Sequence, residues 1–293
     1  MRTRQNCASI GTKLASSGTR KTKENSHLNV SLNGQDCGEA LAARFTDFAA
    51  PDNVVVAQNP WVVLLSIRMG DAMATCSGTI ITQMHVVTNA QCMTREGVTP
   101  RSVTVFYSSS EKYEGYRVRG THILIHPDFS ETTLSSDIAL IMVESHFIQS
   151  MYAQPVCIPV KQFNIVGRYI IVAGWGQEDG SRRPQKTMYT TVVKVSPENE
   201  CWVQYKKFGF NGTGMLCAKR VDQNYCEGDT GGPAVTAGQN GRFYLVGLLS
   251  YKTSCDMQGE HIYPSIFTKV AVFAPWIARS VAAPLVNYTI LVE

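Results

Sequence analysis

The stretch Cys226-Glu227-Gly228-Asp229-Thr230-Gly231-Gly232-Pro233 decides how the rest of this chain is interpreted. Glycine has no Cβ, so its backbone can turn sharply and present an N–H to a ligand oxygen. A hydroxyl residue placed between an acid and two glycines is the arrangement in which a nucleophile lies above an oxyanion hole. In this chain the hydroxyl belongs to threonine. A Gly-rich surface turn is the simpler interpretation of the same residues.

Composition favours an all-β protein of an oxidising compartment. Twenty-three glycines, twelve prolines and many short Val/Ile/Thr/Tyr runs in 293 residues are typical of strands joined by turns. Nine cysteines are many for a reducing compartment. Three sequons permit glycosylation, at Asn29, Asn211 and Asn287. No apolar run approaches the roughly 20 residues of a membrane helix. We therefore expect a secreted protein without a membrane span.

Residues 1–36 differ from the rest of the chain. They hold six basic and two acidic residues, which accounts for the whole formal net charge of +4. Their Ser, Thr, Asn and Lys show almost no apolar periodicity, so we expect a disordered, solvated extension rather than a nucleic-acid footprint. Cys7 lies there as the ninth, unpaired cysteine. The start has no apolar secretory signal, so we expect that the true beginning of the protein is missing.

The stretch Cys226–Pro233 resembles the nucleophile loop of the chymotrypsin/trypsin family of serine proteases, whose pattern is Gly-Asp-Ser-Gly-Gly-Pro. The resemblance covers about residues 37–280. It implies two six-stranded antiparallel β-barrels closed by a C-terminal α-helix. The implied boundaries are a pro-segment at 37–44 and a protease domain at 45–293, with barrel 1 at about 45–155, barrel 2 at about 156–270 and the helix at about 270–281.

An aspartic protease is the other chemistry that this stretch suggests. Asp229-Thr230-Gly231 is the tripeptide of those enzymes, but they need two such carboxylates sharing a proton. The sequence contains one Asp-Thr-Gly only. The aspartic-protease interpretation is therefore set aside.

Four disulfides are implied by the resemblance, since spacing alone leaves about 105 pairings for eight cysteines. The Cys37–Cys157 bond would tie the pro-segment to the linker between barrels, so a cut after Arg44 would not release that segment. The implied pairs are Cys37 with Cys157, Cys76 with Cys92, Cys201 with Cys217, and Cys226 with Cys255.

The catalytic positions that the resemblance implies are degenerate. The family motif Thr-Ala-Ala-His-Cys corresponds to Thr88-Asn89-Ala90-Gln91-Cys92. Gln91 does not titrate near neutral pH and cannot act as a general base. Asp137 of Asp-Ile-Ala-Leu is retained, whereas Thr230 replaces the serine, and Gly228 and Thr230 are the remnant of the oxyanion hole. The alternative base nearest in sequence is His85, to which we assign a structural role.

Substrate binding and activation depart from the family pattern as well. The specificity-pocket positions are Asn224 at the floor and Tyr251, Lys252 and Ser265 at the walls, so a long cation would cross the mouth of the pocket. After Arg44 the family has Ile-Val-Gly-Gly, but this chain has Phe45-Thr46-Asp47-Phe48. A new amino terminus at Phe45 would fit poorly into the slot where it pairs with Asp229.

We therefore predict a secreted, non-catalytic serine protease homolog that binds other proteins. Its partners would be extracellular proteins such as proteases or zymogens of a cascade, for which it serves as cofactor, decoy or regulator. No cofactor, metal or nucleic acid is expected. Two alternatives stay open: an enzyme of weak or altered activity that uses Thr230, and a structural or adhesive extracellular protein that dimerises covalently through Cys7.

Overall fold

A computed structural model describes residues 32–41, 57–176, 186–221, 230–251, 263–283, 285 and 287–291 of the chain. These residues form two closed β-barrels that follow one another along the sequence. Within them, no helix is long and apolar enough to cross a membrane.

The first barrel is built from six antiparallel strands in the order β5-β4-β1-β2-β3-β6, closed by pairing of β5 with β6. Strict alternation explains why β4 forms, because Val103 and Val105 point into the barrel while Ser102 and Thr104 remain partly exposed. The strands are β1 (Val62–Met69), β2 (Ala72–Ile80), β3 (His85–Thr88), β4 (Ser102–Tyr107), β5 (Tyr116–Ile125) and β6 (Ala139–Val143).

The second barrel has the closed order β10-β11-β12-β9-β8-β7. Its interior is filled by apolar side chains such as Val172, Val193, Leu216 and Phe267. The strands are β7 (Tyr169–Gly174), β8 (Tyr189–Val195), β9 (Met215–Arg220), β10 (Pro233–Ala237), β11 (Phe243–Tyr251) and β12 (Ser265–Lys269). The expected class of two six-stranded antiparallel barrels is confirmed.

Two α-helices lie wholly within the described residues. Helix α1 (Glu198–Tyr205) was not predicted from the sequence, since only Cys201 and Tyr205 face inward from it. Helix α2 (Val270–Ala282) is the expected C-terminal helix. Ile277 is fully buried on its inner face, while Trp276 is partly buried against the same core.

A thirteenth strand follows helix α2 and was also not predicted. Strand β13 (Thr289–Ile290) pairs antiparallel with β5 of the first barrel. The next residue, Leu291, is only 6% exposed and belongs to the core of that barrel. The chain therefore returns to its first barrel after completing the second.

The described part of the N-terminal region is packed against the body of the protein. Leu32 is buried, and the Asn33 side-chain amide donates to the carbonyl of Ile158 at 2.9 Å. Residues 32–36, which composition assigns to a disordered extension, therefore belong to the folded structure. The boundary between the extension and the pro-segment at residue 36 stays a prediction. Residues 1–31 lie outside the described residues.

Three of the implied disulfides lie within the described residues. Cys37 is bonded to Cys157, Cys76 to Cys92, and Cys201 to Cys217, each with an S–S distance close to 2.0 Å. The Cys37–Cys157 bond joins residues 120 positions apart. Cys226 and Cys255, like Cys7, lie outside the described residues.

Candidate functional site

A buried carboxylate forms the centre of the candidate site between the barrels. Asp137 precedes β6 and is 0% exposed. Its Oδ1 accepts the backbone N–H of Gln91 at 2.9 Å. Its Oδ2 accepts the Ser250 hydroxyl and the Gln91 side-chain amide, each at 2.5 Å. Three donors from two different segments therefore converge on one carboxylate.

Burial dominates the acidity of this carboxylate. Removal from water raises the pKa of Asp137 to about 6, and the hydrogen bonds from Ser250 and Gln91 oppose that rise. The hydrogen-bond donors thus offset part of the free-energy cost of burying the ionised carboxylate. Near neutral pH the group is still mostly ionised, because its pKa lies below 7.

Gln91 is held against Asp137 by local structure. It lies in a one-turn 3-10 helix, Ala90–Cys92, directly after β3, and Cys92 is bonded to Cys76 of β2. The Gln91 Nε2 also donates to the Ser250 carbonyl at 2.8 Å. An amide nitrogen carries two hydrogens. Asp137 and Ser250 therefore take up both hydrogens of this side chain.

Thr230 enters the site through its backbone. Its carbonyl accepts the N–H of Ser77 in β2 at 2.9 Å, so the end of the nucleophile-like loop crosses to the first barrel. Gly231 follows with φ +86°, and a Cβ there would overlap the Ser77 carbonyl oxygen and Thr88 Oγ1. Only glycine fits this close approach. The structure thus fixes the backbone on the C-terminal side of Thr230.

A second polar layer below Asp137 joins the two barrels. The Asn89 side-chain amide donates to the Asp137 carbonyl at 2.8 Å and to Thr268 Oγ1 of β12 at 3.2 Å. Thr268 in turn donates to the same carbonyl at 2.8 Å. Asn89 is 0% exposed, at a place where the family motif has alanine.

Sequence reasoning did not identify Ser250, Asn89 or Thr268 as members of this cluster. Asn89 and Thr268 are 179 residues apart in the chain, and Ser250 and Asp137 are 113 apart. The available signal was Asn89 itself, since an amide at a position where the family motif has alanine needs a hydrogen-bond partner when it is buried.

The predicted specificity-pocket residues are partly described. Tyr251 ends β11, is 47% exposed, and makes an edge-to-face contact with Tyr205 of helix α1. Ser265 begins β12 and is 3% exposed, opposite Ala218 of β9. Asn224 and Lys252 lie outside the described residues.

The other predicted site residues are distributed as follows. Asn211 and Asn287 are exposed, and the Asn211 side-chain oxygen accepts the N–H of Thr213 at 2.9 Å. Gly228, Asp229, Arg44, Phe45 and Asn29 lie outside the described residues.

His85, the alternative base, is engaged elsewhere. Its Nδ1 lies 2.8 Å from Oγ1 of Thr82, which is in the turn before β3. In β3, the backbone of His85 pairs with Met142 of β6. Burial lowers the pKa of His85 to about 4, so the ring is neutral at physiological pH. These contacts fit the structural role assigned to it. Among the described residues, no group of three or more His, Cys, Asp or Glu could hold a metal ion.

Comparison with known proteins identifies the family. The family model described as Trypsin matches residues 51–277, more than three quarters of the chain. The chain belongs to the trypsin family. The trypsin-family relatives include serine proteinase stubble of Drosophila melanogaster, 27% identical over 268 residues, and proclotting enzyme of Tachypleus tridentatus, 25% identical over 237 residues. The matches take in 86% and 75% of this chain, but they span only 33% and 62% of those two relatives.

Solved structures share the fold. HL collagenase matches with a TM-score of 0.67 and 25% identity, over 78% of this chain and 96% of its own. The scabies mite inactivated protease paralogue S-D1 matches with a TM-score of 0.66 and 26% identity, over 78% of this chain and 94% of its own.

Proposed function

We propose that this trypsin-family domain is catalytically inactive and acts outside the cell by binding another protein. The observation that carries the proposal is the bonding of Gln91. A serine protease needs a group that accepts the proton of its nucleophile and returns it to the leaving amine. An amide does not titrate near neutral pH, and Asp137 and Ser250 already take both Nε2 hydrogens of Gln91.

The nucleophile position supports the same conclusion. Thr230 adds a branch at Cβ, which stiffens its χ1 angle and crowds the path of attack. Threonine nucleophiles use their own α-amine as base, and an internal threonine has none. Loss of the serine or histidine of such a triad costs on the order of 10⁶ in kcat, and further losses do not add, because the triad acts as a unit.

The relatives support an extracellular role linked to proteolysis. They are named as a serine proteinase and a proclotting enzyme, and one structural neighbour is named as an inactivated protease paralogue. The three disulfides of the described residues suit an oxidising compartment. A rigid two-barrel scaffold that has lost its chemistry retains surfaces for recognition. The proposed role is cofactor, decoy or regulator toward a protease or zymogen.

A cleavage event could gate this role. A cut after Arg44 would leave the preceding segment attached, because Cys37 is bonded to Cys157. Arg242 of the second barrel also donates to the Cys37 carbonyl at 2.6 Å. We expect both fragments to remain together on a non-reducing gel and to separate after reduction.

The test of inactivity is active-site labelling. The secreted protein is incubated with a serine-directed fluorophosphonate and, separately, with fluorogenic peptide substrates that carry Arg, Phe or Leu before the cleaved bond. Active trypsin is the positive control, and circular dichroism establishes that the sample is folded. We expect no label on Thr230 and no hydrolysis above a heat-denatured blank. A stoichiometric label on Thr230 would show an enzyme of altered activity instead.

A further inference from the structure

We propose that a groove on the second barrel binds an acidic peptide segment of the partner protein, with an apolar side chain of that segment as anchor. This inference rests on the proposed protein-binding function. We name the feature the α1 groove, because helix α1 forms one of its sides. Its floor is a cavity of about 280 Å³. The lining residues that carry the argument are Phe163, Val166, Phe210, Met215, Val246 and Lys269.

The cavity suits an apolar side chain rather than a whole small molecule. Its volume lies just below the range of about 300–1,000 Å³ that is typical of ligand pockets. Aromatic and aliphatic side chains dominate its lining, and Cys201 and Cys217 contribute to the wall and are bonded to each other. A preformed wall lowers the ordering cost of binding. The floor therefore offers one anchoring site of fixed shape.

Exposed apolar residues belong to the lining of the α1 groove or lie next to it in the sequence. On the side of the linker between barrels, Phe163 is 41% and Val166 is 51% exposed. Close in sequence to the lining residues Cys201 and Phe210, Trp202 of helix α1 is 51% exposed and Phe208 is 72% exposed. Single exposed apolar residues are ordinary, but a group around a cavity is typical of interaction sites. Exposed Trp and aromatic residues also carry much of the energy in protein interfaces.

Several lysine and arginine residues flank the lining residues of the α1 groove in the sequence. Lys206 Nζ lies 4.5 Å above the ring of Trp202, so a cation and an aromatic face are presented together. Lys194 lies similarly over Tyr169, at 5.7 Å. The cations that lie within a few residues of this lining in the sequence and form no ion pair within the described ranges are Lys161, Arg168, Lys194, Lys206 and Lys207.

The acids of helix α1 do not cancel these cations. Glu200 is paired with Lys219 at 2.9 Å. Glu198 lines the cavity together with Lys269. Burial lowers the pKa of Lys269, and the nearby Glu198 carboxylate partly opposes this effect. The remaining positive charge favours an acidic partner, because complementary potentials steer association and suppress wrong partners.

Two other occupants fit less well. The chain's own residues 1–31 hold six basic residues and one acidic residue, so the cations near the α1 groove would repel them. An anionic membrane also attracts lysine and tryptophan, but membrane-binding surfaces insert an apolar face into the lipid boundary. A cavity with apolar sides instead receives a protruding side chain. The observations therefore favour an acidic peptide.

Fluorescence anisotropy tests the inference with a defined probe. The probe is a fluorescein-labelled peptide of eight Asp and Glu residues with one Phe at its centre, titrated with the full secreted chain in 50 mM NaCl. Matched peptides replace the acids with Lys or the central Phe with Ala. We expect binding of the first peptide, at least fivefold weaker binding without Phe, and no binding of the Lys peptide. Affinity should fall as salt is raised.

Surface variants locate the binding. We expect Lys206→Glu with Lys207→Glu to weaken binding at least tenfold, whereas the same charge change on the first barrel, Lys112→Glu with Arg117→Glu, changes it less than twofold. Arg117, Lys206 and Lys207 are exposed and Lys112 is half-buried, so circular dichroism should show unchanged folding.

An apolar pair provides a second location test. Phe163→Ala should weaken binding at least fivefold, and Tyr116→Ala, an exposed aromatic on the first barrel, should not. Equal affinities across either pair, no binding of the acidic peptide, or binding of phosphatidylserine vesicles in its place would each overturn the inference.

Failure of the α1 groove is distinguishable from failure of the proposed function. A natural partner that binds Lys206→Glu with Lys207→Glu as tightly as the unaltered protein would refute the groove and leave protein binding in place. Labelling of Thr230 by fluorophosphonate would refute inactivity, and the peptide titration would still decide the groove.

Discussion

The cleft between the barrels and the α1 groove on the second barrel use their polar groups in opposite ways. In the cleft, Asp137 is saturated by donors from Gln91 and Ser250. Near the lining of the α1 groove in sequence, five cations form no ion pair within the described residues. Groups already bonded inside the protein contribute to stability, whereas unpaired groups at the surface remain available to a partner. This difference predicts that substitutions in the cleft lower the free energy of unfolding, whereas substitutions at the α1 groove weaken partner binding.

Glycine substitutions should show the largest contrast between the two regions. Gly231→Ala would place a Cβ against Ser77 and Thr88 at φ +86°, so we expect misfolding or a loss of at least about 3 kcal/mol in unfolding free energy. Gly167 beside the α1 groove has φ +76° but nothing within 4 Å of a Cβ. Gly167→Ala should cost about 1 kcal/mol. Urea unfolding measures both, and equal losses would contradict the comparison.

The pH dependence should reveal the buried charge of the cleft. The pKa of Asp137 is raised in the folded state, so the native protein binds more protons than the unfolded chain between about pH 4 and pH 6. Stability from this group is therefore full below pH 4 and is lost as pH rises through 6. Relative to Asp137→Asn, the unfolding free energy should fall by about 3 kcal/mol from pH 4 to pH 8. A difference between the two proteins that stays flat with pH would refute this assignment.

Removal of the Gln91 side chain should have a smaller effect. Gln91→Ala leaves Asp137 and the Ser250 carbonyl each without one donor, so we expect a loss of about 2 kcal/mol in unfolding free energy. Gln83→Ala is the matched control, since Gln83 is exposed, and its loss should stay within about 0.5 kcal/mol. A loss equally small for Gln91→Ala would mean that water replaces the amide.

Restoration of the family's triad residues should have the smallest effect on activity. We expect Gln91→His with Thr230→Ser to give no measurable peptide hydrolysis, because the sequence after Arg44 and the pocket position Lys252 also depart from the family pattern. The assay is the fluorogenic peptide panel described above. Rapid hydrolysis would show that Gln91 and Thr230 alone account for the absence of activity.

The sequence predicted the architecture well because short motifs carried it. The Gly-Asp-Thr-Gly-Gly-Pro run and Asp137-Ile-Ala-Leu identified the two-barrel fold that the structure contains. Helix α1 was missed because its two inward residues, Cys201 and Tyr205, give too weak a helical periodicity of apolar residues to indicate a helix. Strand β13 was missed because its two residues are both exposed and form a strand only through the edge of β5.

The candidate site was predicted residue by residue but not as a bonded cluster. Gln91 and Asp137 were expected in one cleft, and the structure places them in direct contact. The contributions of Ser250 and Asn89 depend on segments more than 100 residues apart, which only the closed barrels bring together. Periodicity and motifs carry no information on such pairs.

The return of the chain to its first barrel has a mechanical consequence. Leu291 packs in the core of barrel 1, although helix α2 directly follows the last strand of barrel 2. Within the described residues, the polypeptide therefore crosses from the first barrel to the second before β7 and returns after α2. Separation of the two barrels would require breaking the pairing of β13 with β5. A protein that binds surfaces on both barrels at once would therefore meet them at a constant spacing and angle.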